Sequence, residues 1–252
     1  MTDLKAKRAA FRALHEQGCF VLPNPWDIGG VRRLEKLGFA ALASTSAGMA
    51  WALGLEDGEV PLDDVLSHLR LLCGSTDLPV NADFEAGFAD DPKQVAANVR
   101  LACDTGVAGL SIEDRTGREL YPLPLAVERI QASREAIDQA GDDVILVGRS
   151  EGFLVGRADI GPTIERLVAY AHAGADCLYA PGIQDPAHIE AVVAAVAPKP
   201  VNVLLMGPHM RIADLAAQGV RRVSVGGSLA RAAWAGFDEA AKRLRDQAAL
   251  LP

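Results

Sequence analysis

Aromatic residues make up only 5% of this chain, and there are four cysteines, none in a CxxC pair. That excludes a disulfide scaffold and a cysteine zinc site. Cys19, Cys73, Cys103 and Cys177 each sit among apolar neighbours and read as small buried hydrophobes, which points to a reducing, cytoplasmic setting. No apolar run reaches the roughly 20 residues of a membrane span, and positions 1–8 lead into an amphipathic pattern without a signal-peptide core. With 25 Lys+Arg against 33 Asp+Glu and no local basic cluster, neither nucleic acid nor membrane is an expected partner. The histidines (His15, His68, His172, His188, His209) lack zinc-ligand spacing. No lysine falls at the end of a predicted strand, so a Schiff-base mechanism has no nucleophile.

What is present is an alternation. After a helix over 3–17 closed by Gly18, strands are predicted at 19–22, 39–44, 78–82, 107–113, 144–149, 175–180, 200–205 and 222–225. Helices follow at 26–37, 62–73, 92–105, 124–140, 160–173, 186–197, 212–218 and 229–248. Gly38, Gly106, Gly174 and Gly219 each punctuate a helix end just before a strand. Eight strands each followed by a helix, in a chain of 252 residues, give the α/β class and the (β/α)8 TIM-barrel count, as one domain over 1–252. An open doubly wound sheet is the alternative, but no Gly-x-Gly-x-x-Gly turn follows the first strand.

In a barrel, chemistry collects at the C-terminal strand ends. The third strand runs out as Val80-Asn81-Ala82-Asp83-Phe84-Glu85-Ala86-Gly87. Strand alternation aims Asp83 and Glu85 the same way, and two adjacent carboxylates suit a hard cation such as Mg²⁺. A solvated acid after the strand is the plainer alternative; Asp91 before Pro92 is the better cap for the next helix. Ser44-Thr45-Ser46-Ala47-Gly48 could hold an oxyanion on backbone amides or be a polar loop, and Asp57 lies in the same long connection. The fourth strand ends in Glu113-Asp114, and the fifth in Arg149 with Glu151 two residues on. Together they fit a hydrated Mg²⁺ beside a carboxylate held bidentately by Arg149, or else Arg149 is a structural ion pair. Gly226-Gly227-Ser228 resembles a phosphate cup, with a tight turn as the alternative.

Taken together, these motifs resemble the isocitrate lyase / phosphoenolpyruvate mutase superfamily over nearly the whole chain. The matching pieces are Leu22-Pro23-Asn24-Pro25-Trp26-Asp27, Ser44 to Gly48, Leu53-Gly54-Leu55-Glu56-Asp57, Ala82 to Gly87, Gly109 to Asp114, Gly148-Arg149-Ser150-Glu151 and Ala173-Gly174-Ala175-Asp176. The resemblance implies that Asp83 binds Mg²⁺ directly while Asp57, Glu85 and Glu113 hold its waters. It implies that the backbone at Ser46 and Ala47, with Arg149, grips the carboxylate of a 2-oxo acid or enolate. It also implies a last helix exchanged between subunits, and hence a homodimer or homotetramer. Trp234 and Phe237, three apart, give that helix an apolar face, though such a face could equally pack on its own barrel. Departures are confined to the chemistry. The Lys-x-Cys-Gly-His segment of the lyases, whose cysteine is the general acid, is replaced by Asp114 to Pro122; the mutase Lys and Asn-Ser are absent from the same loop. An aromatic residue is missing near Ala43, and Ala180 stands where mutases carry histidine.

The expected activity is therefore a Mg²⁺-dependent lyase or decarboxylase acting on a small 2-oxo or 2-hydroxy carboxylate through an enolate, oxaloacetate-decarboxylase-like. Glu151 is the candidate base and Tyr121 the best remaining proton donor. Mutase and isocitrate lyase activities are not expected. A 2-oxo-acid binding protein that lost catalysis and a sugar-phosphate enzyme are the alternatives.

Overall fold

The Asp3 side chain accepts from the Lys5 amide, and a helix starts there because that contact satisfies an otherwise unpaired donor. The computed structural model describes residues 3–141 and 143–248. In chain order its elements are α1 (Leu4–Leu14), β1 (Phe20–Leu22), α2 (Ile28–Lys36), β2 (Leu42–Ala43), α3 (Ser46–Ala52), α4 (Leu62–Gly74), β3 (Val80–Asp83), α5 (Pro92–Cys103), β4 (Gly109–Glu113), β5 (Arg115–Thr116) and β6 (Glu119–Leu120). There follow α6 (Leu123–Gln139), β7 (Ile145–Arg149), α7 (Ile160–His172), β8 (Cys177–Tyr179), α8 (Pro186–Val196), β9 (Val201–Leu204), α9 (Ile212–Ala217), β10 (Arg222–Ser224) and α10 (Ser228–Ala248). Asp27, Asp91, Asp159 and Asp185 cap α2, α5, α7 and α8 in the manner of Asp3.

Eight parallel strands pair in the order β1-β10-β9-β8-β7-β4-β3-β2. The ring is completed between its ends by the Ala43 amide donating to Pro23 O at 3.0 Å and Asn24 Nδ2 donating to Ser44 O at 2.8 Å. This is the TIM-barrel architecture expected from the sequence. Gly38, Gly106, Gly174 and Gly219 all have positive φ, as their position after a helix requires. Two elements were not anticipated: the short helix α3, where a loop was expected, and the antiparallel hairpin β5–β6. Both lie beyond a barrel strand, where no long periodic pattern marks them.

The main core lies between strands and helices, with Leu42, Leu110, Leu146 and Val223 facing outward into it. A smaller cluster fills the lumen, and α1 closes its floor with Phe11. A Cβ at Gly109 would stand 2.7 Å from both Phe11 Cε1 and Asn81 Oδ1, so only glycine lets that plug seat. Arg8 fixes α1 by donating to Cys103 O at 2.9 Å and Val107 O at 3.1 Å, at the C-terminal end of α5. One rung of the sheet is rich in polar side chains. Glu113, Arg149, Tyr179, Asn202, Arg222 and Phe20 are successive register partners across β4, β7, β8, β9, β10 and β1. Because barrel strands tilt, such a rung descends from the mouth towards the floor. At the other extreme, α10 is exposed along most of its length, with Phe237 at 62% and Leu244 at 68%.

Candidate active site

At the C-terminal strand ends, Ser46, Ala47, Asp57, Asp83 and Arg149 line one cavity of about 280 Å³. Glu85 and Glu113 line a neighbouring recess together with Asp57, Arg115 and Tyr121. The residues picked from the sequence thus converge on one end of the barrel. Their individual settings differ from what spacing alone suggests.

Asp83 is the last residue of β3. Its Oδ2 accepts from both the amide and the hydroxyl of Ser46, each at 3.1 Å, and its Oδ1 accepts from Arg149 Nη1 at 3.1 Å. Glu85 lies outside the strand at φ 47, a left-handed conformation that a residue with a side chain adopts at a cost. The strand alternation used to aim it therefore does not reach it; the turn does. Burial, then Asp83 and Asp57, push the Glu85 carboxyl up to about 7. Glu113 is also pushed up, by burial and by Glu151 and Asp83, against the opposing pull of Arg149. Asp114 points away from this centre, as strand alternation requires, and accepts from the Glu151 amide, Arg166 and Tyr170.

Arg149 sits at the middle. Its Nη1 lies 3.1 Å from Asp83 and 2.8 Å from Glu113, and its Nε donates to Glu151. Burial alone would lower its pKa, but Glu113, Glu151 and Asp83 hold it well above the usual guanidinium value. Arg115, at the start of the hairpin, closes the acids from the outer side at 2.8 Å from Glu113 and 3.4 Å from Glu151. Both oxygens of Glu151 are thus engaged by arginine. The Tyr121 hydroxyl donates to Asp90 while its ring lies 4.2 Å from Arg129, and burial followed by Asp90 raises its pKa. Its proton is committed to Asp90.

Five carboxylates (Asp57, Asp83, Glu85, Glu113, Glu151) thus gather at this end of the barrel, and the two guanidiniums pair with three of them, Asp83, Glu113 and Glu151. Charge excess of that kind is relieved by protonation or by a cation, and hard carboxylate oxygens suit Mg²⁺. By donor chemistry the set fits. Among the described residues no three acids converge on a single point; Arg149 Nη1 stands between Asp83 and Glu113 instead.

Sequence reasoning missed the opposite wall. Asn24 Oδ1 accepts from the amides of Val225 and Gly226 at 3.0 and 2.9 Å, so those two donors of the glycine turn are already used. That removes the Gly226 amide from the phosphate cup considered at Gly226-Gly227-Ser228, and the Ser228 amide donates to Val225 O at 3.1 Å. Tyr179, Asn81, Asn202, Arg222 and Arg231 also line the cavity. The available signal was polar side chains inside short, otherwise apolar strands, where an unexplained amide or charge is informative.

The family model described as phosphoenolpyruvate phosphomutase matches residues 11–245. A solved structure from Burkholderia cenocepacia J2315, assigned provisionally as a lyase/mutase, superposes with a TM-score of 0.94 at 48% identity, covering 96% of this chain and 90% of that one. An uncharacterised protein of Mycobacterium tuberculosis (strain CDC 1551 / Oshkosh) is 34% identical over 86% of this chain and 81% of its own length. The oxaloacetate decarboxylase of Rhodopseudomonas palustris (strain BisB18) is 30% identical over 86% of this chain and 77% of its own.

Proposed function

This chain belongs to the phosphoenolpyruvate phosphomutase family, and from that premise we propose that it is a Mg²⁺-dependent lyase or decarboxylase of a small 2-oxo or 2-hydroxy carboxylate. The observation that carries this reading is the crowding of Asp83, Glu85 and Glu113 beside Arg149, with burial first and then Asp83 and Asp57 pushing Glu85 up to about 7. The likeness to an oxaloacetate decarboxylase supports the substrate class. Asp83 would hold the metal, with Asp57, Glu85 and Glu113 on its waters. When bound, Mg²⁺ supplies electrophilic stabilisation for negative charge developing on the substrate oxygen.

The chain's own residues do the rest. Arg149 donates no hydrogen bond from Nη2 among the described residues, and that edge, with the first-turn amide at Ala47, binds and orients the substrate carboxylate; the Ser46 amide, expected to share in this grip, already donates to Asp83. Glu151 is the base once a substrate group displaces one of its arginines. Leu154, Met206 and Leu204 wall the cavity and limit water. Cleavage of isocitrate or 2-methylisocitrate is not part of this reading, because residues 114–122 contain no cysteine, lysine or histidine and the Tyr121 proton is held by Asp90. Decarboxylation asks less, as solvent can protonate the product. The same lack of a donor favours a second reading, a 2-oxo-acid binding protein with little turnover.

A panel of 2-oxo and 2-hydroxy acids, assayed by product detection with and without Mg²⁺, separates these. Metal-dependent release of CO₂ or of a 2-oxo acid supports the lyase; Mg²⁺-dependent binding without product supports the second reading; neither sinks both. The apolar face of α10, with Trp234 and Phe237 in ring contact at 5.8 Å and largely exposed, supports a homodimer or homotetramer built through that helix. A monomer in light scattering at micromolar concentration would rule this out.

A further inference from the structure

Arg222 is buried to 2% exposure inside the barrel and has no carboxylate within ion-pair distance among the described residues. Its Nε donates to Asn202 Oδ1 at 2.9 Å, and its Nη1 lies 3.3 Å from Asn81 Oδ1 and 3.4 Å from His15 Nε2. The histidine is neutral. Its Nδ1 is 2.8 Å from Phe11 O, a carbonyl that can only accept, so Nδ1 carries the proton and Nε2 offers its lone pair to Arg222. Burial and the adjacent Arg222 hold the His15 pKa at about 3. The amide oxygens are fixed as well, because Asn202 Nδ2 donates to Ser224 Oγ at 3.0 Å and Asn81 Nδ2 to Ala82 O at 3.0 Å.

Three neutral acceptors thus solvate a buried cation without neutralising it, and burying an unpaired charge costs free energy that a bound anion would offset. Nη2 donates no hydrogen bond within the protein among the described residues, and Arg222 lines the same cavity as Asp83 and Arg149. Tyr179 lies between the two arginines on the descending rung. Its ring is 5.2 Å from Arg149 Cζ, its hydroxyl is hydrogen-bonded to Ser224, and it stays protonated because burial raises its pKa to about 12.

The geometry points to the free edge of Arg222 as a second anion subsite, which takes the distal carboxylate of a dicarboxylic substrate while the acid-lined side takes its 2-oxo end. This rests on the 2-oxo-acid reading above and narrows it to dicarboxylates. A charged hydrogen bond of this kind is worth about tenfold or more in affinity.

Calorimetric titration in Mg²⁺ buffer with 2-oxoglutarate and 2-oxovalerate, matched in carbon number and differing in one carboxylate, tests it. The wild type should bind the dicarboxylate about tenfold or more tightly, and Arg222→Gln should bring the ratio to about one. Arg222→Lys should keep part of the preference. Asn202→Asp retains the arginine but gives it an internal counter-ion, so it should abolish the preference while the melting temperature holds or rises; it also serves if the glutamine variant does not fold. An equal affinity for both acids in the wild type, or a preference that survives Arg222→Gln or Asn202→Asp, overturns the subsite and leaves the 2-oxo-acid reading intact. If neither acid binds the wild type, both readings fall.

Discussion

The two walls of the cavity use the same side chain in opposite ways. Arg149 and Arg222 lie on one rung of the sheet, the first mostly buried and the second fully so, separated by Tyr179 and Asn202. Arg149 is held by Asp83, Glu113 and Glu151, and its charge is more than neutralised within the protein. Arg222 is held by two amides and a neutral imidazole, and its charge is not neutralised at all. An arginine at a strand end is therefore not by itself a carboxylate grip. What decides its role is whether the fold has already supplied its counter-ion. On the acid wall the deficit is positive charge, which the proposed divalent cation would fill; on the other wall it is negative charge.

The largest expected effect separates the two arginines directly. Arg149→Met takes the guanidinium from Asp83 and leaves the buried Glu113 and Glu151 to Arg115 alone, and breaking such a set typically costs about 3–5 kcal/mol. Arg222→Met leaves only neutral acceptors without a donor, and should cost clearly less in thermal or urea denaturation. Equal losses would erase the contrast. Next come the proposed metal ligands. Asp83→Asn should reduce Mg²⁺ affinity more than Glu85→Gln, whose loss of a water-mediated contact is worth about 10–100-fold. Isothermal titration giving equal losses would undo the assignment of Asp83 as the direct ligand.

The pH response is smaller and has a defined sign. A carboxyl raised from 4.5 to about 7 in the folded state binds a proton that the unfolded chain has already released. Without a divalent ion, stability should therefore fall as pH rises from about 4.5 to about 7. Mg²⁺ should reverse this, giving a larger increase in melting temperature at pH 8 than at pH 6, and Glu85→Gln should flatten the difference. An increase that is the same at both pH values would show that Glu85 is not the group concerned. The smallest effect belongs to Arg115, which is 29% exposed and pairs with the acids from the solvent side. Arg115→Gln should cost no more than about 1 kcal/mol, since the arginine itself is open to solvent and Glu113 and Glu151 keep Arg149; a loss matching Arg149→Met would merge the two arginines into one unit.

The barrel, its element order and the acids at its strand ends were legible in the sequence because each rests on short-range physics. Periodicity separates helix from strand over a few residues, glycine marks the end of a helix, and aspartate marks its start. Tertiary structure alone decided how those acids are satisfied. Glu85 reaches the centre through a left-handed turn rather than through the strand, and Tyr121 turns its hydroxyl to Asp90. Asn24 takes the amides at Val225 and Gly226, about two hundred positions away in the chain. Arg222 meets His15, Asn81 and Asn202 only because the ring closes with a tilt that carries one rung from mouth to floor. Closure and register are properties of the whole sheet, so no local pattern encodes which buried charge finds a counter-ion and which is left to seek one from a ligand.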